Sequence, residues 1–144
     1  MKVSMPNYPK TGSERKIKVQ IDKWDTWSLD HTLAHIIHPA LIQLRDTTHG
    51  YPGHDGMTAA KWTKILNQMI WSFGELAKDN SDDQFYTGEI VWGEPIKLPD
   101  GNFQYKTDKK KSTFKCDRRG LNAHHKKIQA GVELFGRYYR DLWD

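Results

Sequence analysis

The sequence predicts an α+β fold that is mostly α, with three long helices packed together and a small antiparallel β-ribbon. Three segments repeat apolar residues at spacings of three and four, which is the period of a helix with one core-facing side. Between the second and third, short apolar runs flank a Pro-Asp-Gly-Asn turn, as in a β-hairpin. A length of 144 residues suits a single domain, 1–144, with a substantial core.

The N-terminal segment is predicted to be irregular before a short strand. Residues 1–14 form a polar arm that contains proline and glycine. Ile17, Val19 and Ile21 then alternate with polar residues, which predicts a half-buried strand. We expect this strand to be the third member of the ribbon.

The first long helix is predicted to begin between Thr26 and Leu29 and to end at His49-Gly50, with Gly50 in the left-handed conformation. Pro39 removes a backbone donor inside it and predicts a kink or break near His35 to His38. Its apolar stripe predicts the buried side: Leu29, Leu33, Ile36, Ile37, Ala40, Leu41 and Leu44. Three histidines occupy the opposite side: His31, His35 and His38.

Two further helices and the ribbon follow. The second helix is expected from Thr58 to Lys78, and the ribbon from Glu89 to Lys106. The third helix is expected from Leu121 to Leu142, with one core-facing stripe: Leu121, Ile128, Val132, Phe135, Tyr139 and Leu142, with Leu134 and Tyr138 at its border. Gly131 and Gly136 weaken a helix interior, which predicts close approach of another backbone or of aromatic rings at both.

Composition narrows the class of protein. Cys116 is the single cysteine, which excludes an intrachain disulfide and a cysteine-based zinc site and favours a reducing compartment. No apolar run resembles a signal peptide or a membrane span, so we expect a soluble cytoplasmic protein that does not interact with membranes. Much of the net charge of +4 lies in Lys106 to Arg119. Such a segment can recruit nucleic acid, but at this modest charge a solvated loop is the favoured interpretation.

The histidines give one hypothesis, a metal site. His31 and His35 have the i, i+4 spacing that lets two imidazoles share a metal ion, and Asp30, His49 or His54-Asp55 are candidates to complete it. However, the sequence has no HExxH motif, and a histidine-bearing polar face is more often simply solvated. A magnesium site on Glu75 and Asp79 lacks a second acidic pair.

Binding of an anion without chemistry is the alternative. Trp24 and Trp27, at the entrance to the first helix, offer faces for stacking, while His31 and His49 offer hydrogen bonds. Arg118 and Arg119 offer positive charge. These residue types together describe a nucleotide pocket, although small basic domains often carry the same types on their surfaces.

The segments WDTWSLDHTLAHIIHPALIQL, LNQMIWSFGEL and GVELFGRYYRDLWD resemble a family of small proteins encoded by tailed bacteriophages. The resemblance covers most of the chain. It implies expression in a bacterial host and an accessory role, and it supplies no reaction. Six residues match the family pattern: Trp24, Asp25, Trp27, Asp30, His31 and His49. His35 and His38 do not belong to the family pattern. The resemblance therefore favours a site made of Asp30, His31 and His49 over one made of the three histidines of the first helix.

The sequence therefore favours a phage accessory protein that binds an anionic small ligand, with nucleotides as the preferred class and no cofactor. The predicted binding residues are Trp24, Trp27, Asp30, His31, His49, Arg118 and Arg119. One alternative is a metal-dependent phosphohydrolase that uses Asp30, His31 and His49. Another is a structural or host-protein-binding module, in which exposed aromatic rings would anchor a host protein or another copy of the chain.

Overall fold

The predicted α+β, mostly α architecture is confirmed. The computed structural model of the chain describes residues 1–4 and 17–143, so most of the predicted arm, residues 5–14, lies outside them. Contacts divide the chain into two compact units, of which the first is Met1–Asp79 with Ile128–Asp144 and the second is Asn80–Lys127. Among the described residues, no helix combines the length and the apolar character needed to cross a bilayer.

Three helices and three pairs of short strands make up the described structure. The helices are α1 (Leu29–Thr47), α2 (Ala59–Leu76) and α3 (Arg118–Arg137). The strands are β1 (Lys2–Ser4), β2 (Lys18–Gln20), β3 (Tyr86–Thr87), β4 (Ile96–Lys97), β5 (Phe103–Gln104) and β6 (Lys115–Cys116). They pair antiparallel as β1 with β2, β3 with β6 and β4 with β5. Single 3₁₀ turns occupy Lys23–Thr26, Asp83–Phe85 and Tyr139–Asp141.

The core of the first unit is built on α2. The predicted second helix and its core-facing stripe are confirmed. Thr58 caps this helix by accepting a hydrogen bond from the Lys61 amide at 3.3 Å. The buried apolar residues of the unit are Ala34, Leu41, Trp62, Leu66, Met69, Phe73 and Tyr138. Four of these come from α2, which therefore supplies most of the fully buried surface.

The predicted orientation of α1 is confirmed in part, because Leu41 is buried and Ile37 and Leu44 pack against the core. Leu29 and Leu33 from the expected core stripe are exposed, whereas Ala34 is fully buried on the side that also carries His31 and His38. The helix runs unbroken through Pro39, so the predicted break is wrong. It ends at Thr47 with extended backbone at Thr48, and Gly50 does not take a left-handed conformation.

The predicted ribbon is confirmed as the antiparallel pair of β4 and β5. The prediction of a third strand in this ribbon is wrong. β4 and β5 are joined by the predicted turn, in which Gly101 has a φ of 85° that favours glycine. The strand predicted at Ile17 to Ile21 pairs with β1, and not with the ribbon, because residues 2–4 are themselves a strand.

The end of α3 differs from the predicted stripe. The α-helix stops at Arg137, and this changes which tyrosine faces inward. Tyr138, predicted at the border, is buried, whereas Tyr139, predicted in the stripe, is 65% exposed. The close approach predicted at the glycines is confirmed at Gly131, next to Ser72, and is wrong at Gly136, which faces open space.

His54 links the loop after α1 to the last turn of the chain. Its Nε2 lies 3.1 Å from the Asp141 carboxylate and its Nδ1 lies 3.2 Å from Asp55, while its ring stacks on Tyr138. The hydrogen bond with Asp141, and then that with Asp55, holds the pKa of His54 above its usual value. The loop and the C-terminal turn are therefore joined most strongly when His54 is protonated.

We expect this link to make stability depend on pH in a defined direction. Because the folded pKa of His54 is raised, its contribution is fully present below the unfolded pKa of about 6.5 and is lost as pH rises through the folded pKa. Urea unfolding of wild type and His54→Gln between about pH 5.5 and about pH 8.5 measures it. The advantage of wild type should shrink as pH rises, and a constant advantage would contradict the role of protonation.

Candidate ligand site at the start of the first helix

Reciprocal caps hold the turn that precedes α1. The Asp22 carboxylate accepts a hydrogen bond from the Trp24 amide at 3.0 Å, and the Asp25 carboxylate accepts one from the Asp22 amide at 2.7 Å. The Asp25 carboxylate also pairs with the Met1 ammonium. This pairing has the largest effect on the pKa of Asp25, and the hydrogen bond from the Asp22 amide the next; both hold that pKa below its usual value. The turn therefore has a fixed shape and is tied to the start of β1.

This turn presents two tryptophans to solvent. The rings of Trp24 and Trp27 meet edge to face with centroids 4.6 Å apart, and 56% and 80% of these residues are exposed. The Lys23 ammonium lies 4.7 Å from the centroid of the Trp24 ring, a cation–π geometry. The predicted stacking pair therefore exists as an exposed aromatic surface with a positive charge beside it.

His31 has a structural partner that the sequence does not reveal. Its Nδ1 lies 3.0 Å from the Leu76 carbonyl, to which it must donate a proton because a carbonyl only accepts. The last carbonyls of a helix lack partners within it, and His31 satisfies one of those of α2. This hydrogen bond explains why the histidine side of α1 faces α2.

The other nitrogen of His31 faces a second imidazole. Its Nε2 lies 3.1 Å from Nε2 of His35 and 3.4 Å from the Asp79 carboxylate. With the proton of neutral His31 on Nδ1, its Nε2 accepts, and His35 donates to it. The pair thus forms a short chain of hydrogen bonds that ends at the exposed ring of His35.

Both imidazoles line a cavity of about 320 Å³, here called the entrance pocket. Its lining residues are Met1, Val3, His31, Thr32, His35 and Ile36. Thr32 is held in place because its hydroxyl donates to the Asp25 carbonyl at 3.0 Å. The lining combines imidazoles, a hydroxyl and apolar surface, and the Asp79 carboxylate lies 3.4 Å from Nε2 of His31. Imidazole N–H groups can donate to an anion.

The predicted grouping of Asp30, His31 and His49 is wrong. Asp30 and His31 lie in the first turn of α1, whereas His49 lies two residues beyond its end. At about 1.5 Å per residue, about 24 Å of helix separates His31 from the end of α1. These residues therefore cannot hold one metal ion or one small ligand together.

The described residues also contain no group of three histidine, cysteine or acidic side chains placed to hold a metal ion. Asp79, half of the carboxylate pair considered for magnesium, lies beyond the end of α2. Glu75 forms an ion pair with Lys78 at 2.6 Å. The phosphohydrolase alternative thus loses the geometry on which it depended.

Arg118 and Arg119 are exposed in the first turn of α3 and belong to the second unit. The entrance pocket and the tryptophan pair consist of first-unit residues. The candidate site is therefore defined by first-unit residues alone.

Sequence reasoning missed two histidines in the second unit. The His124 Nε2 lies 2.8 Å from the Ser81 hydroxyl, and the His125 Nε2 lies 2.9 Å from the nearer oxygen of Asp82. Each histidine is 43 residues from its partner along the chain, so no local spacing signals either pair. These contacts fasten the acidic segment after α2 to the first turns of α3.

Comparison of the chain with models of known families, with curated proteins and with solved structures finds no match.

Proposed function

We propose that this chain is a bacteriophage accessory protein that binds an anionic small ligand, a nucleotide, without transforming it. The phage assignment, and with it the cytoplasm of a bacterial host as the location, rests on the sequence resemblance. The binding assignment rests on the start of α1, where Trp24 and Trp27 stack on the base and His35 faces the phosphates.

The exposure of the tryptophan pair is the observation that carries this proposal. Two indoles project into water from a doubly capped turn, where they contribute little to the core and are accessible to a ligand. Stacking of a nucleobase on such a ring is worth about 1–3 kcal/mol. Trp27 is the better platform because it is more exposed and Lys23 already lies over the Trp24 ring.

The charges near the site fit an anionic ligand. Lys2, Lys18 and Lys23 are exposed on β1, β2 and the turn before α1. Among the nearby carboxylates, those of Asp22 and Asp25 cap the turn, and that of Asp79 lies 3.4 Å from Nε2 of His31. His35 lines the pocket, and its imidazole N–H can donate to a phosphate in place of its hydrogen bond to His31.

Replacing Trp27 with alanine is expected to weaken nucleotide binding by a factor of about 5 to 150, the equivalent of one lost stack. Calorimetry with ATP, GTP and a cyclic dinucleotide measures it, with inorganic triphosphate as a probe of charge alone. Trp143→Ala, which removes another largely exposed indole, is the matched control and should leave affinity unchanged.

His35→Ala tests the phosphate contact without removing the Leu76 contact of His31. It should weaken binding of triphosphate and nucleotides by similar factors. If none of the three nucleotides binds wild type, or if Trp27→Ala and Trp143→Ala have equal effects, the proposed function is wrong.

One observation favours a second candidate, the binding of a protein. Leu29 and Leu33 are 42% and 38% exposed and extend the apolar surface of Trp27 along α1. Exposed apolar residues grouped in this way are typical of protein interfaces. If another copy of the chain is the partner, sedimentation should show association that depends on concentration and is reduced in Leu33→Asp.

A further inference from the structure

The second unit carries a different exposed surface, on the ribbon formed by β4 and β5. These strands are joined in register with Lys97 opposite Phe103, and an isolated bridge pairs Trp92 with Thr107 farther along. We propose that this ribbon binds single-stranded nucleic acid, with aromatic rings stacking on bases and lysines contacting phosphates. This inference does not rest on the proposed function, since it uses none of the same residues.

Aromatic residues of the ribbon are unusually exposed. Trp92, Phe103 and Tyr105 are each 58–59% exposed. Phe103 and Lys97 are directly opposed in the antiparallel register, and opposed residues share one face of a ribbon. A ring and a positive charge therefore lie side by side, as stacking on a base next to its phosphate requires.

The positive charge of the chain is concentrated in this unit. It contains ten lysines and arginines against seven acidic residues, so it carries +3 of the total +4. All six lysines between residues 97 and 115 are exposed: Lys97, Lys106, Lys109, Lys110, Lys111 and Lys115. This amount of charge provides several phosphate contacts in a short segment.

Two of the nearby carboxylates are occupied by local structure. Asp100 accepts hydrogen bonds from the backbone and the side chain of Asn102 within the turn, and this pairing lowers its pKa. Asp108 accepts from the backbone amides of Lys110 and Lys111. Their negative charge is therefore partly neutralised by fixed donors. The Lys111 ammonium also lies 3.7 Å from the Asp108 carboxylate, so the phosphate contacts are assigned to the other lysines of the segment.

Single strands fit this surface better than a duplex or a protein. Rings can stack only on bases that are not already stacked in a duplex. Protein interfaces are typically depleted in lysine, whereas lysines surround these rings. The combination of exposed rings and lysines matches a surface that binds single strands without sequence preference.

Fluorescence anisotropy with labelled oligo(dT) and oligo(U) of about 12 nucleotides tests the proposal on the full chain. Phe103→Ala should weaken binding at least about 5-fold, and Phe103→Leu should do nearly the same because it keeps apolar volume but lacks a ring. Trp143→Ala is the control for loss of an exposed ring elsewhere. Thermal unfolding of each variant verifies that it is folded.

The contact between Lys97 and a phosphate can be tested through the salt dependence of binding. Lys97→Gln should lower the slope of log affinity against log salt by about 0.7, the value for one phosphate contact with a single strand. Lys64→Gln, at an exposed position of α2, should not change that slope.

Several results would overturn the inference: no binding of either oligonucleotide, tighter binding of a duplex of equal length, or equal affinities of wild type and both Phe103 variants. Mononucleotide binding that depends on Trp27 can fail or succeed independently, so the two proposals are tested separately.

Discussion

Replacing Gly131 with alanine is expected to destabilise the protein by about 2–3 kcal/mol, which is the cost of overpacking a core. A Cβ atom built at this position would lie 2.0 Å from the Ser72 hydroxyl oxygen, 2.6 Å from the Ser72 Cβ and 2.9 Å from the Gln68 carbonyl. Ser72 is fully buried on α2 and the carbonyl is backbone, so neither can move without shifting the helix.

The matched control is Gly136→Ala, five residues along the same helix. No atom lies within 4 Å of a Cβ built there, and the position is exposed. Alanine is favoured over glycine in a helix interior by up to about 1 kcal/mol, so this variant should be slightly more stable than wild type. Urea unfolding of both variants gives the two free energies. Equal effects at the two positions would contradict close packing of α3 on α2.

These glycines show what the sequence can and cannot predict. The sequence gives the same signal at both, an unfavourable residue within a helical pattern. Only the register of α3 against α2 decides which one meets a neighbour, and that register depends on contacts between residues distant in sequence.

Helices α1 and α2 show the same contrast. For α2 the pattern predicted the bounds to within two residues and the buried face, because this helix faces the core along most of its length. For α1 the apolar stripe indicated only part of the buried face, since Leu41 is buried but Leu29 and Leu33 are exposed. The hydrogen bond from His31 to the end of α2 turns part of the histidine side inward, and hydrophobic periodicity does not reveal such a contact.

The candidate site was predictable in part for a similar reason. Trp24 and Trp27 lie at the capped turn before α1, and His31 lies in the first turn of α1. Because the three are close in sequence, local spacing was sufficient to group them. His49 was grouped with them because its residue type suited the chemistry, and the length of α1 separates it. His35 lines the entrance pocket because it lies one turn after His31.

Truncation of Tyr138 to alanine is the second change from which we expect a large effect. Its side chain is 6% exposed, its ring meets that of Trp62 edge to face at 5.5 Å, and His54 stacks on it. Deleting a buried aromatic side chain typically costs about 3–5 kcal/mol, through lost burial and the cavity that remains. The variant should also lose most of the pH dependence attributed to His54, because the C-terminal turn that holds Asp141 would no longer be anchored.

Tyr139→Ala is the internal control for this change, since it removes the same atoms from the adjacent residue. Tyr139 is 65% exposed and its ring meets that of Phe135 edge to face at 5.6 Å, so its loss should cost about 1 kcal/mol or less. The predicted stripe placed Tyr139 in the core, so it implies that Tyr139→Ala destabilises the protein more than Tyr138→Ala does. Urea unfolding therefore decides between the structure and the simple helical pattern: a larger loss at Tyr139 would mean that α3 continues as an α-helix beyond Arg137, whereas a larger loss at Tyr138 supports the change of direction at that residue.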